Sequence, residues 1–268
     1  MSRASLPMYD LQEMQDATSA FWQGLARAFR REGIDDVPAH LEAPVDYEGH
    51  WLSRDLFFSQ TCGYPLRHAL KDRVAYVATP SYAVEGCGRG TYRSVILVNE
   101  RSSARTLADL RGKTATFNDP HSHSGMNVLR AMIAPLSKDG VFFGQVVESG
   151  RHEASIRMVA EREADVATID CVTYATLERY RPDAVAGVRI LALTAEAPTL
   201  PFITALDAGA DRIARMRAGL ARAFADPALA EAREALFLEE VVVLPDDAYL
   251  AIDRMEEDAI AAGYPQLA

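Results

Sequence analysis

Residues 113–133 read KTATFNDPHSHSGMNVLRAMI. Residues 113–117 have the short, β-branched and apolar character of a strand, whereas 126–133 place apolar residues at helical spacing. Between them Asp119-Pro120 forces a turn, and Ser122 or Ser124 stands where a helix N-cap is needed. Strand, tight polar loop and helix in direct succession form the repeating unit of an α/β fold.

The same rhythm runs outward in both directions. Further strands are predicted at 4–9, 55–59, 74–78, 95–98, 143–147, 165–169, 189–193 and 202–204, and helices at 153–161, 172–179, 211–224 and 248–262. A long helix is expected after the first strand. Asp10 is its predicted cap, with Glu13 three residues on as in a capping box. Met14, Ala17, Phe21, Leu25 and Phe29 make its buried face and Gly33 its stop. Most strands are continuous apolar runs, the pattern of mainly parallel sheets covered by helices on both faces.

Two polar or proline-rich stretches follow strands: NERSSART at 99–106 and AEAPTLP at 195–201. They predict a discontinuous first lobe, 1–98 and 199–268, with a second lobe, 99–198, inserted into it. A cleft between such lobes is a preferred place for small-molecule sites.

Composition narrows the function. A chain of 268 residues suggests roughly two domains, and 49% hydrophobic with 25% charged residues excludes wholesale disorder. With 28 Lys+Arg against 38 Asp+Glu, the net charge of −10 argues against nucleic acid as a partner. No apolar run of about 18 residues exists, so no membrane insertion is expected. Residues 2–10 lack the apolar core of an export signal, which predicts a cytoplasmic chain. Cys62, Cys87 and Cys171 match no zinc pattern and read as thiols, with a Cys62–Cys87 bridge as the alternative.

The loop after residue 117 is suited to an anion. Unpaired amides at a helix start and the positive end of its dipole attract negative oxygens. Asn118, Ser122, His123 and Ser124 add side-chain donors, and Gly125 lets a ligand approach the backbone. The loop contains no Lys or Arg, so neutral dipoles would do the binding. Other candidates stand at strand ends, where open α/β sheets place ligands: Tyr9, Gln60, Tyr64, Tyr92, His152 and Asp170. Each also has a plain structural reading, Asp170 and His152 as helix caps above all. A metal site from Asp119, His121, His123 and His152, or a Cys62–His68 nucleophile pair, are the catalytic alternatives. With neither a P-loop nor a G-x-G-x-x-G fingerprint in strand–helix context, no cofactor and no metal are expected.

Five segments occur in an order that resembles a known family: SQTCGYP (59–65), GTYRS (90–94), NDPHSHSG (118–125), GRHEAS (150–155) and ADVATID (164–170). The chain is similar to the solute-binding proteins of phosphonate, phosphite and phosphate ABC transporters, which have the type 2 periplasmic-binding fold. The resemblance implies two lobes, each a mainly parallel sheet flanked by helices, with the ligand cleft between them. It implies that Ser122, His123 and Ser124 hold phosphonate oxygens, that Tyr92 and His152 complete the cage, and that Asp170 meets the far end of the ligand. Tyr64 or Tyr9 would close the cleft from the first lobe. The implied partners are a small oxyanion of the phosphonate or phosphate class and an ABC permease.

Three departures stand out. His123 occupies a position where the family commonly has Thr. The segment PTLPFI (198–203) lacks a second acid, which argues against aminoalkylphosphonates. Family members are usually periplasmic, whereas the start of this sequence reads as cytoplasmic. The alternative function is an enzyme on the same fold, such as one resembling thiamin-pyrimidine synthesis, with Cys62 and His123 as the residues to watch.

Overall fold

The computed structural model describes residues 2–268. The chain forms two compact units. One comprises the chain up to Ala83 with Gly88–Gly90 and Pro198–Ala248; the other comprises Val84–Cys87, Thr91–Ala197 and Tyr249–Ala268.

The first unit is built on a five-stranded sheet in the order Arg3–Ala4, Leu56–Gln60, Phe202–Ala205, Val74–Tyr82, Leu238–Val242. The predicted strand at 4–9 is reduced to Arg3–Ala4. The helix Gln15–Arg31 is preceded by a 3-10 turn, Gln12–Met14, whose N-cap is Leu11, so Asp10 is not the cap. Its carboxylate instead accepts from Gln15 Nε2 at 3.3 Å, and burial pushes it above the usual carboxylate range. The helix ends as its sequence predicts. Gly33 adopts φ 78°, its N–H donates to Arg30 O, and Ile34 N–H donates to Phe29 O, the paired bonds of a Schellman motif.

Phe21, Trp22, Leu25 and Phe29 on that helix are at most 1% exposed and pack with Phe57, Phe58, Phe202 and Leu220. Each such side chain contributes about 1.5–3 kcal/mol on burial. The helix lies against Gly209–Ala225. A Cβ on Gly219 would sit 2.6 Å from Phe29 Cδ1 and 3.3 Å from Phe29 N. Gly219→Ala is therefore expected to destabilise the protein by about 1–3 kcal/mol despite its better helix propensity, read as a lowered Tm. An unchanged Tm would contradict this close packing.

The second unit holds a five-stranded sheet in the order Gln145–Glu148, Thr114–Phe117, Val166–Asp170, Ser94–Asn99, Val188–Leu193. Ile96, Val98, Ala115, Leu129, Ile133 and Tyr264 are among its buried core residues. The helix Leu250–Ala261 packs on Val128–Ile133.

Two expectations need correction. Residues 249–268 belong to the second unit, not the first, because that terminal helix buries its face on Val128–Ile133; the strand Ser94–Asn99 also belongs there, paired with Val166–Asp170. The sheets are mixed rather than mainly parallel. In the first, Phe202–Ala205 runs antiparallel to both neighbours, and Leu238–Val242 is antiparallel to Val74–Tyr82. In the second, Gln145–Glu148, Thr114–Phe117 and Val166–Asp170 pair in parallel, while Ser94–Asn99 is antiparallel to both its partners and is the one reversed strand of the five. An apolar run covered by helices reads alike in either direction, so the pattern does not disclose strand polarity.

Candidate functional site: the serine loop of the second unit

The three parallel strands end at Phe117, Glu148 and Asp170, and the chain leaves each at the same edge of the sheet. Ser94 is in register with Asp170 on an antiparallel strand, so the segment before Ser94, with Tyr92, arrives at that edge too. Carboxyl ends of parallel strands are where α/β sheets place ligands. Here sheet topology delivers Tyr92, Asn118, Ser122, His123, Ser124, Gly125, His152 and Asp170 to one rim.

Local chemistry then shapes the loop. Asp119 Oδ1 accepts from His121 N at 2.6 Å, and Asp119 O accepts from Ser122 N at 3.0 Å, closing the turn at Pro120. Ser122 is the N-cap, its Oγ accepting from Gly125 N at 3.1 Å. The chain then makes a π turn, His123–Asn127, rather than an α-helical one. Asn127 N closes it by donating to Ser122 O at 3.1 Å. Only then does the helix Val128–Ile133 begin. Single π turns recur at functional sites.

The side chains converge closely. Ser122 Oγ and Ser124 Oγ are 3.5 Å apart, and Ser124 Oγ is 3.1 Å from His152 Nε2. The Tyr92 and His123 rings meet edge to face at 6.3 Å between centroids. A Cβ on Gly125 would fall 1.8 Å from Asn118 Oδ1 and 3.3 Å from His152 Cε1. Only glycine allows this approach. His152 opens the helix His152–Ala160; Ser149, whose N–H and Oγ both donate to Phe117 O, ties the loop before it to the strand end.

Ser122, His123, Ser124, Tyr92 and Asp170 are buried. Asn118 Oδ1, His123 Nε2 and His152 Nδ1 are buried atoms without a hydrogen-bond partner among the described residues. Such atoms are uncommon in native proteins, and each calls for an explanation such as a bound ligand or water. Burial pushes His123 and His152 down to about 4, so both rings are neutral at pH 7. Beside the Asn118 amide and the Asp170 carboxylate, the rim thus presents hydroxyls and neutral imidazoles. Asp170 has its structural role as well: Oδ1 caps the helix Cys171–Tyr180, accepting from Val172 N at 2.7 Å and Thr173 N at 3.2 Å.

Tyr9, Gln60 and Tyr64 lie in the first unit. Tyr9 and Gln60 border an apolar hollow of ≈ 40 Å³ with Met14, Phe21, Tyr82 and Phe202. Tyr9 has φ 61° and meets Tyr82 edge to face at 5.3 Å. Gln60 Nε2 donates to Tyr82 OH and Leu200 O, so its amide hydrogens are committed within the unit. Tyr64 lies on His68, ring centroids 4.0 Å apart. The three cysteines are thiols, and the near pair is Cys87–Cys171, with sulfurs 3.5 Å apart. No group of three or more His, Cys, Asp or Glu side chains suited to a metal occurs among the described residues.

The sequence reading missed Asn127, whose Nδ2 lies 3.1 Å from His123 Nδ1. The available signal was an asparagine four positions after the histidine, within side-chain reach on a helical turn.

A family model described as "ABC transporter, phosphonate, periplasmic substrate-binding protein" matches residues 5–249. The chain belongs to this family. Its fold is correspondingly that of solved phosphonate-binding proteins. A binding protein component of an ABC phosphonate transporter from Pseudomonas aeruginosa superposes with TM-score 0.74 at 16% identity, covering 97% of this chain and 87% of that one. PhnD1 from Prochlorococcus marinus, solved in complex with methylphosphonate, gives 0.74 at 15% identity over 96% and 97%. A Xanthomonas citri protein bound to ATP gives 0.72 at 13% over 98% and 97%. No curated protein sequence matches. The family is periplasmic and substrate-binding, and no described helix is long and apolar enough to cross a membrane.

Proposed function

We propose that this member of the family binds a small phosphonate or phosphate-ester oxyanion on the serine loop and releases it unchanged to an ABC permease. One observation carries the reading: the hydroxyls of Ser122 and Ser124 converge at the carboxyl edge of the sheet, on the loop whose His123 keeps a buried ring nitrogen unengaged. Ser122 Oγ already accepts from Gly125 N, which leaves its hydrogen to donate. Ser124 reaches the same rim supported by His152 Nε2. Tyr92 borders His123.

Donors without formal charge suit this ligand class. They stabilise oxygens through preorganised dipoles whose cost was met on folding. The phosphonate of one structural neighbour and the phosphate ester of another belong to the same oxyanion class.

An enzymatic reading finds no comparable footing. One Ser–His–Glu alignment exists in the first unit, with Ser5 Oγ 2.9 Å from His50 Nε2 and Glu42 Oε2 3.8 Å from His50 Nδ1. Ser5 is 0% exposed and shares its hydroxyl with Ser59, which also receives the Trp51 indole N–H. A nucleophile needs access to substrate, and this serine has none.

The test is a thermal-shift screen against phosphate, phosphite, sulfate, methylphosphonate, aminoalkylphosphonates and phosphate monoesters, followed by phosphorus NMR of the best ligand after prolonged incubation. A ligand at 100 times its Kd adds about 2.7 kcal/mol of stability. A clear shift with a phosphonate or phosphate ester that is recovered unaltered is expected. A flat response across the panel, or conversion of the ligand, contradicts the reading.

A further inference from the structure

The unengaged His123 Nε2 helps an anion only if it carries the ring proton; otherwise it turns a lone pair toward the ligand. The surroundings of Asn127 decide which. Arg130 Nη2 lies 2.6 Å from one terminal atom of the Asn127 amide. A guanidinium has only donors, so that atom is the oxygen. The carbonyl of Ile252 lies 3.2 Å from the other terminal atom. A carbonyl only accepts, so that atom is the nitrogen. Two unlike neighbours thus demand the same amide orientation. The second hydrogen of Nδ2 then points to His123 Nδ1 at 3.1 Å. Nδ1 must accept, and in a neutral imidazole the proton resides on Nε2.

Arg130 is itself held in place. Its side chain is only 6% exposed, with Glu256 Oε1 2.9 Å from Nη2 and Pro265 O accepting from Nη1 at 2.9 Å. Both partners come from residues 249–268, which belong to the same unit. The sequence-remote end of the chain thereby reaches the ring of the loop histidine through two buried side chains.

We propose that Glu256, Arg130 and Asn127 are positioning residues that hold His123 as its Nε2–H tautomer, making the serine loop selective for a deprotonated phosphonate or phosphate oxygen over a protonated one. The proposal rests on the oxyanion reading above. Serine hydroxyls donate or accept as required, so they do not distinguish P–O⁻ from P–OH. A fixed N–H does, because it can only donate: it bonds strongly to a charged P–O⁻ acceptor, bonds weakly to a neutral P–OH oxygen, and cannot accept that group's proton.

Burial alone depresses His123 to about 4, so the ring stays neutral from pH 6 to 8. The titratable or charged groups on elements packed against the π turn are Arg130; Asp170; and Asp253, Arg254, Glu256, Glu257 and Asp258 of the terminal helix. Tyr92 and, through Ser124, His152 complete the surroundings.

Asn127→Asp tests the relay at constant shape. The carboxylate still accepts from Arg130, but its second oxygen also accepts, so it gives up the bond to Ile252 O and demands a proton on His123 Nδ1. Nitrogen-15 NMR of histidine-labelled protein, without ligand at pH 7, separates protonated from unprotonated ring nitrogens. The wild type is expected to show Nε2 protonated and Nδ1 bare; the variant is expected to show Nδ1 protonated. Methylphosphonate titrations from pH 6 to 8 give the second readout. Once the ligand's own ionisation is allowed for, wild-type affinity is expected to stay level. In the variant the added carboxylate raises the pKa of the ring; binding is expected to be best at the acid end, where more of the rings carry both protons, and about tenfold to a hundredfold weaker once the ring is neutral with Nε2 bare. A loss caused only by loosened packing would show no such pH step.

Should Asn127→Asp not fold, the wild-type spectrum alone decides the tautomer. A protonated Nδ1 in the wild type, or an Asn127→Asp variant whose affinity is unchanged at every pH, overturns the relay. Failure of the wild type to bind methylphosphonate and inorganic phosphate, with the expected tautomer present, instead overturns the oxyanion reading and the ligand selectivity proposed here.

Discussion

Ser122→Ala combined with Ser124→Ala is expected to weaken phosphonate binding by about two to four orders of magnitude. A hydrogen bond to a charged acceptor contributes about 1.5–3 kcal/mol, and the two hydroxyls stand 3.5 Å apart at the same rim. Their effects on the free protein should differ. Ser122 caps the π turn through Gly125 N, so its loss costs about 1 kcal/mol of stability. Ser124 bonds His152 from the side and caps nothing. Isothermal titration with methylphosphonate, alongside denaturant melts of each single variant, separates the two contributions. Wild-type affinity in the double variant would place the oxyanion elsewhere.

The second large effect is loss of stability in acid. His123 and His152 are held near 4 by burial, whereas an unfolded histidine titrates near 6.5. Between those values the unfolded chain binds more protons, so stability rises with pH across the window. It is fully present above about pH 6.5 and drains away as pH falls toward 4. At about 1.36 kcal/mol per pH unit for each ring, the pair loses on the order of 6 kcal/mol. His50, also pushed down mainly by burial, acts in the same direction. Urea denaturation at pH 7 and pH 4.5 measures the loss. The variant carrying His123→Gln and His152→Gln should keep only the smaller remainder. An undiminished loss in that variant would show that the loop rings titrate normally.

Sequence and structure agree where the signal is local. Strands such as Leu56–Gln60, Thr114–Phe117 and Val166–Asp170 fall within a residue or so of their expected places because their apolar runs end at polar turn residues. Leu238–Val242 is not legible in the sequence, since two of the five residues of LEEVV are glutamates and its pairing depends on Val74–Tyr82, remote in sequence. Strand direction escapes for the reason that buried strands look alike from either end. The terminal helix is legible at 248–262, but its membership in the second unit depends on a face that only the packed structure pairs with Val128–Ile133.

The site divides along the same line. Asp-Pro turn chemistry, a capping serine and a glycine after it are local signals, and they pick out Ser122, Ser124 and Gly125. The topology that brings Tyr92, His152 and Asp170 to their rim is foreshadowed only by their position next to strand ends. The layer behind, from Asn127 through Arg130 to Glu256, joins residues with no common motif. The π turn is likewise hidden, because helical periodicity over so few residues does not separate a π from an α turn.

A crystal structure with methylphosphonate at saturating concentration would decide whether the serine loop is an oxyanion site built from neutral donors. Phosphonate oxygens are expected within hydrogen-bond distance of Ser122 Oγ, Ser124 Oγ and His123 Nε2, with Arg130 still paired to Glu256. Phosphonate bound away from the loop, or bound there through an arginine or lysine with His123 Nε2 left unengaged, would contradict that reading.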